Sequence, residues 1–296
     1  MKPPRFCYFT PQNVEEALTL LTEHVGEGQV LAGGQSLIPL MNMRLLHPSM
    51  LIDINGIAEL AYICSCECGF ALGAMTRYVT IARDAAIKAH LPLLVDATRS
   101  IGYPSIRNRG TLGGCIAYAH PCAEIPAVML ALNAEFEACR RDSSSCWSSR
   151  IISAKDFFKG NHVTDLKEEE LLTEIRIPAL PARAGSAFLE FSQRQQAYPL
   201  AGVATVVVLD KDGMIADARL GLCSVGPAPV RPQAAEALLR GRCPVDETWS
   251  VAANAVVTAL DNPPSDIHGS ADYRRHLAAV LVRQALALAA ERAERN

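Results

Sequence analysis

Ala32-Gly33-Gly34-Gln35-Ser36 and Thr111-Leu112-Gly113-Gly114-Cys115 decide how this chain is read, because each interrupts an apolar stretch with small residues. The first follows the β-prone Gln29-Val30-Leu31 and leads into Leu37-Ile38-Pro39-Leu40-Met41-Asn42-Met43. It therefore lies where a strand gives way to a helix. There, successive backbone N–H groups can point at an anion and absent Cβ atoms allow close approach. Two such loops suggest one large phosphate-bearing cofactor held from two sides. Neither is the Gly-x-Gly-x-x-Gly fingerprint or the Gly-x4-Gly-Lys-Ser/Thr phosphate loop, and a Gly-Gly pair taken singly also serves as a plain turn. Context favours the anion reading. Arg107-Asn108-Arg109-Gly110 places cationic and amide donors before the second loop, and Ser36 and Thr111 add hydroxyls.

Outward from the first loop, Thr10-Pro11-Gln12-Asn13-Val14 reads as a helix start with Thr10 as cap and Pro11 at the first helical position. A strand at Met50–Ile54 closes this first unit before Asn55-Gly56. The next unit carries a strand at Phe70–Ala74, an amphipathic helix from Val79 to about Ala89 and a helix from Pro92 to about Ile101. After the second loop come a buried helix at Pro126–Leu132, ended by Asn133, and an alternating strand at Leu171–Ile177. Pro178-Ala179-Leu180-Pro181-Ala182-Arg183-Ala184-Gly185 reads as a linker. Beyond it lie strands at Ala187–Gln193, Gly202–Leu209 and Ala216–Ser224, the last two joined by the turn Asp210-Lys211-Asp212-Gly213. Helices at Arg231–Arg240, Thr248–Leu260 and from Ala271 onward complete the chain, the last with Arg275, Arg283 and Glu291 on a wet face. Ser143-Ser144-Ser145-Cys146-Trp147-Ser148-Ser149 reads as a surface loop.

Half of the 296 residues are hydrophobic, enough for two or three domains with real cores. Lys plus Arg number 28 against 31 Asp plus Glu, and the net charge of −3 gives no electrostatic case for a nucleic-acid partner. No apolar run is long enough to span a bilayer, and Met1-Lys2-Pro3-Pro4-Arg5 lacks the features of a secretory signal, so the chain is expected in the cytoplasm. The ten cysteines include no Cys-x-x-Cys pair. Cys64, Cys66 and Cys68 would share one face of a strand at about 6.6 Å intervals, too far apart to close on one ion. They are read as reduced residues, with no metal site. The histidines form no ligand set, no Gly-x-Ser-x-Gly elbow occurs, and no side chain is assigned a catalytic role.

The strings Ala32–Pro39, Arg107–Gly114 and His268-Gly269-Ser270-Ala271-Asp272-Tyr273-Arg274-Arg275 together resemble the FAD-binding medium subunit of molybdenum hydroxylases, the carbon monoxide dehydrogenase and xanthine dehydrogenase relatives. The resemblance runs over essentially the whole chain. It implies an α+β protein: a two-lobed FAD-binding domain of the vanillyl-alcohol-oxidase-like (PCMH) class over residues 1–177, with lobes of about 1–56 and 57–177, then a smaller α+β domain over 178–296. It implies that Ala32, Gly33, Gly34, Gln35 and Ser36 hold one side of the FAD pyrophosphate and Thr111, Gly113, Gly114 and Cys115 the other. By the same resemblance, Thr76 lies near the cofactor, Glu124 contacts its adenosine portion and Leu172 lines the flavin pocket. Three positions depart from the family pattern: Cys115 replaces the commoner Asn, His120 an Asp or Ser, and Glu190 a Lys near the flavin.

The implied function is electron transfer. A large molybdopterin subunit oxidises substrate, a small 2Fe-2S subunit relays electrons, and FAD on this chain collects them for an external acceptor, in a dimer of three-subunit units. The alternatives are a self-sufficient FAD-dependent oxidoreductase of small molecules and a nucleotide-binding module without redox chemistry.

Overall fold

The computed structural model describes residues 2–142 and 147–296. Strands Cys7–Phe9, Met50–Asp53 and Gly28–Leu31 form an all-parallel sheet with Met50–Asp53 in the centre. The central strand is buried on both faces except at Asp53, as parallel sheets require. Helix Val14–Glu23 covers this sheet through Ala17, Leu18 and Leu21. It starts three residues later than the sequence suggests. Asn13, not Thr10, is its cap, its side chain accepting from the Glu16 N–H at 2.8 Å, while the Glu16 carboxylate reaches back toward Gln12.

The second sheet is antiparallel, in the order Ile63–Cys66, Gly69–Gly73, Leu171–Pro178, Glu135–Arg141, Trp147–Ser153. The read loop at Ser143–Ser149 is thus partly strand, from Trp147 onward, while residues 143–146 lie outside the described residues. The expected helix from Val79 to Ala89 is two helices, Tyr78–Arg83 and Ala85–His90. Asp84 divides them: its extended backbone ends the first helix, and its carboxylate caps the second by accepting from the Ile87 N–H at 2.8 Å. The cysteine reading is corrected as well. The strand ends at Cys66 and the chain turns through Glu67, which brings Cys66 and Cys68 together as a disulfide with Cα atoms 5.3 Å apart.

A third sheet is an antiparallel meander of Ala184–Phe191, Ala201–Leu209 and Ile215–Cys223. Helices Gln233–Leu239, Asp246–Ala259 and Ala271–Glu294 build the core on one of its faces. Its other face meets helix Glu124–Ala131, where a Cβ on Gly221 would lie 2.8 Å from the Ala127 carbonyl carbon, so only glycine allows that approach. This explains a helix whose eight residues are all buried: it lies between the second sheet and the third. One apolar core runs from Leu72 and Phe136 through Val128 to Ala204 and Val206. Residues 179–183, read as a linker, connect layers that share this core, with the Ala179 N–H donating to Cys68 and the Ala184 N–H to Pro181.

Candidate functional site

The two glycine loops lie against each other. A Cβ on Gly33 would fall 2.9 Å from the Gly110 Cα and closer still to the Arg109 carbonyl oxygen, and one on Gly114 would come 3.3 Å from the Ala32 Cβ. Residues far apart in sequence thus form one seam; Gly33 is needed because two backbones meet there, and Gly114 because the Thr111 hydroxyl and the Ala32 methyl crowd it.

The first loop leaves the strand Gly28–Leu31 and enters helix Leu37–Asn42. Gly34 turns the chain with φ +72°, a conformation costly for any side chain. The Gln35 amide donates to the Gly33 carbonyl at 3.1 Å. The backbone N–H groups of Gly33, Gly34, Gln35 and Ser36 have no acceptor among the described residues. A buried or half-buried run of four unsatisfied N–H groups is unusual in a folded chain and is chemically suited to an anion.

The second loop has the opposite economy of bonds. Leu112 donates to the Thr76 carbonyl at 2.9 Å, Gly113 to Ala74 at 2.8 Å, Gly114 to the Thr111 hydroxyl at 3.2 Å and Cys115 to the Thr111 carbonyl at 3.2 Å. Thr111 is the N-cap of helix Leu112–Tyr118, and Gly113 is fixed by contact, since a Cβ there would lie 2.5 Å from that of Ala74. Thr76 is a clamp within this arrangement. Its hydroxyl donates to the Tyr62 carbonyl at 2.8 Å and its own carbonyl receives Leu112.

Polar and charged groups surround the first loop, and Asn55, Asp53 and Arg77 among them are unassigned in the sequence. The Asn55 amide donates to the Ala32 carbonyl at 2.7 Å, and Arg77 donates to the Asn55 side-chain oxygen at 2.5 Å and to the Arg109 carbonyl. Partial burial pushes the Asp53 carboxyl up, but hydrogen bonds from Tyr8 and Asn55 and the Arg109 charge bring it below its ordinary value. Asn55 had a visible signal, as an Asn-Gly turn after a strand, yet only the fold shows it reaching the loop. Arg107 is directed elsewhere, donating to the Ile101 and Gly102 carbonyls. A cleft of about 430 Å³ lined by Asn55, Thr76, Arg77 and Thr80 opens beside this seam. A larger one, about 820 Å³, is lined by Cys66, His90, Arg183 and Arg292 and holds none of the predicted site residues.

Behind the second loop the surroundings are acidic and closed. Burial pushes the Cys115 thiol up to about 12, so it is neutral, and it is paired with the Tyr78 hydroxyl. Glu124 is 5% exposed, and its charge acts on Cys115 and Tyr78. His120 stacks on Tyr198 with centroids 4.7 Å apart, and its Nδ1 accepts from the Cys122 N–H at 3.1 Å. Leu172 is 4% exposed and belongs to the core that also holds Leu112 and Ile116. The structure therefore gathers Ala32–Ser36, Thr76 and Thr111–Cys115 at one seam, sets Glu124 behind it and seats Leu172 in the adjoining core.

These residues fit a large phosphate-bearing cofactor: free N–H groups, flanking arginines and a backbone cradle that Cβ atoms would fill. Comparison with known proteins agrees. Residues 4–180 match the family described as the FAD binding domain in molybdopterin dehydrogenase, and 186–289 the CO dehydrogenase flavoprotein C-terminal domain. The chain is 39% identical to the 6-hydroxypseudooxynicotine dehydrogenase complex subunit alpha of Paenarthrobacter nicotinovorans, over 99% of this chain and 97% of that one. It is 36% identical to the carbon monoxide dehydrogenase medium chain of Hydrogenophaga pseudoflava, over 97% of each. Among solved structures, carbon monoxide dehydrogenase from Hydrogenophaga pseudoflava superposes with a TM-score of 0.93 at 37% identity, covering 99% of both chains. Quinoline 2-oxidoreductase from Pseudomonas putida 86 does so with 0.90 at 33%, again over 99% of each. The chain belongs to the FAD-binding medium-subunit family of the molybdenum hydroxylases.

Proposed function

We propose that this chain holds FAD at the seam between its glycine loops and works as an electron-transfer subunit. It receives electrons from a 2Fe-2S subunit and passes them to an external acceptor, in a complex with a large molybdopterin subunit arranged as a dimer of three-subunit units. The observation that carries the reading is the run of four unbonded N–H groups at Gly33–Ser36, flanked by Arg77 and Arg109. Bound FAD supplies a redox centre that takes electrons singly and releases them in pairs.

The chain's own work is binding and placement. Gly33, Gly34, Gln35 and Ser36 would hold the pyrophosphate through their free N–H groups, and the Arg77 and Arg109 charges would favour the anion. Thr111, Gly113, Gly114 and Cys115 fix the second loop so that the first is held open, with Thr76 locking it from the sheet. Glu124 and Leu172 close the site behind the second loop. No side chain acts as acid or base on a substrate, because substrate oxidation belongs to the large subunit. The FAD-binding part comprises residues 1–177 and the C-terminal part 178–296, a division supported by family matches ending at 180 and resuming at 186.

The test is a visible spectrum of the gently purified full chain, followed by denaturation and chromatography of what is released. Near-stoichiometric, non-covalent FAD together with co-purified iron–sulfur and molybdopterin subunits is expected. A colourless protein that FAD cannot reconstitute, even with those subunits present, would overturn the proposal.

A further inference from the structure

A chain of side-chain hydrogen bonds crosses the seam between the two glycine loops. Residues 76–78 are stapled to the second loop through their backbone. The Leu112 N–H donates to the Thr76 carbonyl at 2.9 Å, the Tyr78 N–H to the Gly110 carbonyl at 3.2 Å, and Arg77 pairs with Thr111 as an isolated antiparallel bridge. From that anchored position the Arg77 guanidinium spans the seam. One of its nitrogens donates to the Arg109 carbonyl, the group that Gly33 packs against, and another to the Asn55 side-chain oxygen at 2.5 Å. The Asn55 amide nitrogen then donates to the Ala32 carbonyl at 2.7 Å. Asn55 is held in turn by Asp53, whose carboxylate accepts from the Asn55 N–H at 2.9 Å and from its amide at 2.5 Å.

The far end of this chain decides where a backbone proton points. A trans peptide group is planar, so its carbonyl and its N–H lie on opposite sides, and the described residues hold no cis peptide. The Ala32 carbonyl and the Gly33 N–H belong to one such group. Holding that carbonyl on Asn55 turns the Gly33 N–H away from Asn55, and the bond from the Gln35 amide to the Gly33 carbonyl at 3.1 Å does the same for the Gly34 N–H. These two head the run of N–H groups without acceptors. Both acceptors of Arg77 are neutral, one a backbone carbonyl and the other an amide oxygen. A planar fork reaches the two at once, which a lysine ammonium, a point charge on a flexible stem, does not reproduce.

We propose, resting on the reading that FAD is held at this seam, that Arg77 and Asn55 are positioning residues that together brace the first loop against the second, so that the Gly33 N–H is aimed before the cofactor arrives. The fork geometry of Arg77 is the greater part of its contribution and its charge the lesser. Orienting the loop in advance lowers the ordering cost of binding. Asn55 is exposed and Arg77 half-buried, so their bonds add only modestly to the stability of the folded chain.

The test is FAD titration of the FAD-stripped full chain, with whatever subunits accompany it, for the native protein, Asn55→Ala, Arg77→Lys and the double variant. Arg77→Lys keeps the charge and loses the fork, whereas Asn55→Ala changes no charge at all. Each is expected to weaken FAD binding by about tenfold. Because either break opens the same brace, the double variant should bind no more weakly than the worse single one. Denaturant unfolding of the FAD-free proteins should shift by far less than the affinity, which a merely structural role would not allow. Native affinity in either single variant would overturn the proposal, as would additive losses in the double variant or affinity that falls only in step with stability. A native chain that takes up no FAD would overturn the functional reading and this proposal with it.

Discussion

The two glycine loops have nearly the same composition and opposite structural roles. Ala32–Ser36 leaves four consecutive N–H groups without acceptors, whereas Leu112–Cys115 uses every one of its own within the fold. Their neighbours differ in the same sense: Arg77 and Arg109 flank the first, and Glu124 lies behind the second. A Gly-Gly pair therefore does not define an anion site. What defines it is whether surrounding strands and caps have already claimed the N–H groups, and here that is settled by Thr76, Ala74 and Thr111, which claim those of the second loop.

The largest expected effect separates the loops by charge. Glu124 and Glu190 have folded values above that of a free carboxylate, so the folded chain binds more protons than the unfolded one. The FAD-free protein should be most stable below about pH 4.5 as far as this pair is concerned, and should lose on the order of a few kcal/mol as pH rises to about 8. Denaturation across that range checks it, and Glu124→Gln should flatten the profile. A loss confined to falling pH would contradict the raised values of these carboxyls.

Gly113→Ala comes next. Its Cβ has no room beside Ala74, so unfolding free energy should drop by about 1–3 kcal/mol whether or not FAD is present. Gly33→Ala should act differently, because its Cβ meets the Arg109–Gly110 backbone at the seam. FAD affinity should fall by at least about tenfold, roughly 1.4 kcal/mol, on top of a stability loss of the same order as that of Gly113→Ala. Equal ratios of affinity loss to stability loss in the two variants would erase the distinction between the loops. Thr111→Val should give the smallest change, about 1 kcal/mol of stability from the lost cap at Gly114, with FAD retained.

Much of this was legible in the sequence. The meander of the third sheet, the buried helix before Asn133 and the loop-to-helix junction after Leu31 follow from alternation, continuous apolarity and glycine placement. The misreadings share a physical cause, competition between two local signals. Thr10-Pro11 and Asn13 both look like helix starts, and Asn13 prevails because its side chain accepts from the Glu16 N–H while the Glu16 carboxylate accepts from the Gln12 N–H just before it. Asp84 sits inside an amphipathic run yet caps a second helix. Cys66 and Cys68 alternate as a strand would, but a hairpin turn at Glu67 brings them together. For the site, the loops were visible and their division of labour was not. Which N–H groups are free depends on Thr76 and Ala74, which only the fold brings to the second loop.

The account's central claim is that the first loop supplies the phosphate contacts and the second supplies the frame. Amide hydrogen exchange of the full chain, with FAD removed and then restored, tests it directly at peptides covering residues 32–37 and 111–116. The account predicts fast exchange at Gly33–Ser36 without FAD and strong protection when it returns, against slow and nearly unchanged exchange at Leu112–Cys115. Protection that appears at Leu112–Cys115 and leaves Gly33–Ser36 unaltered would contradict it.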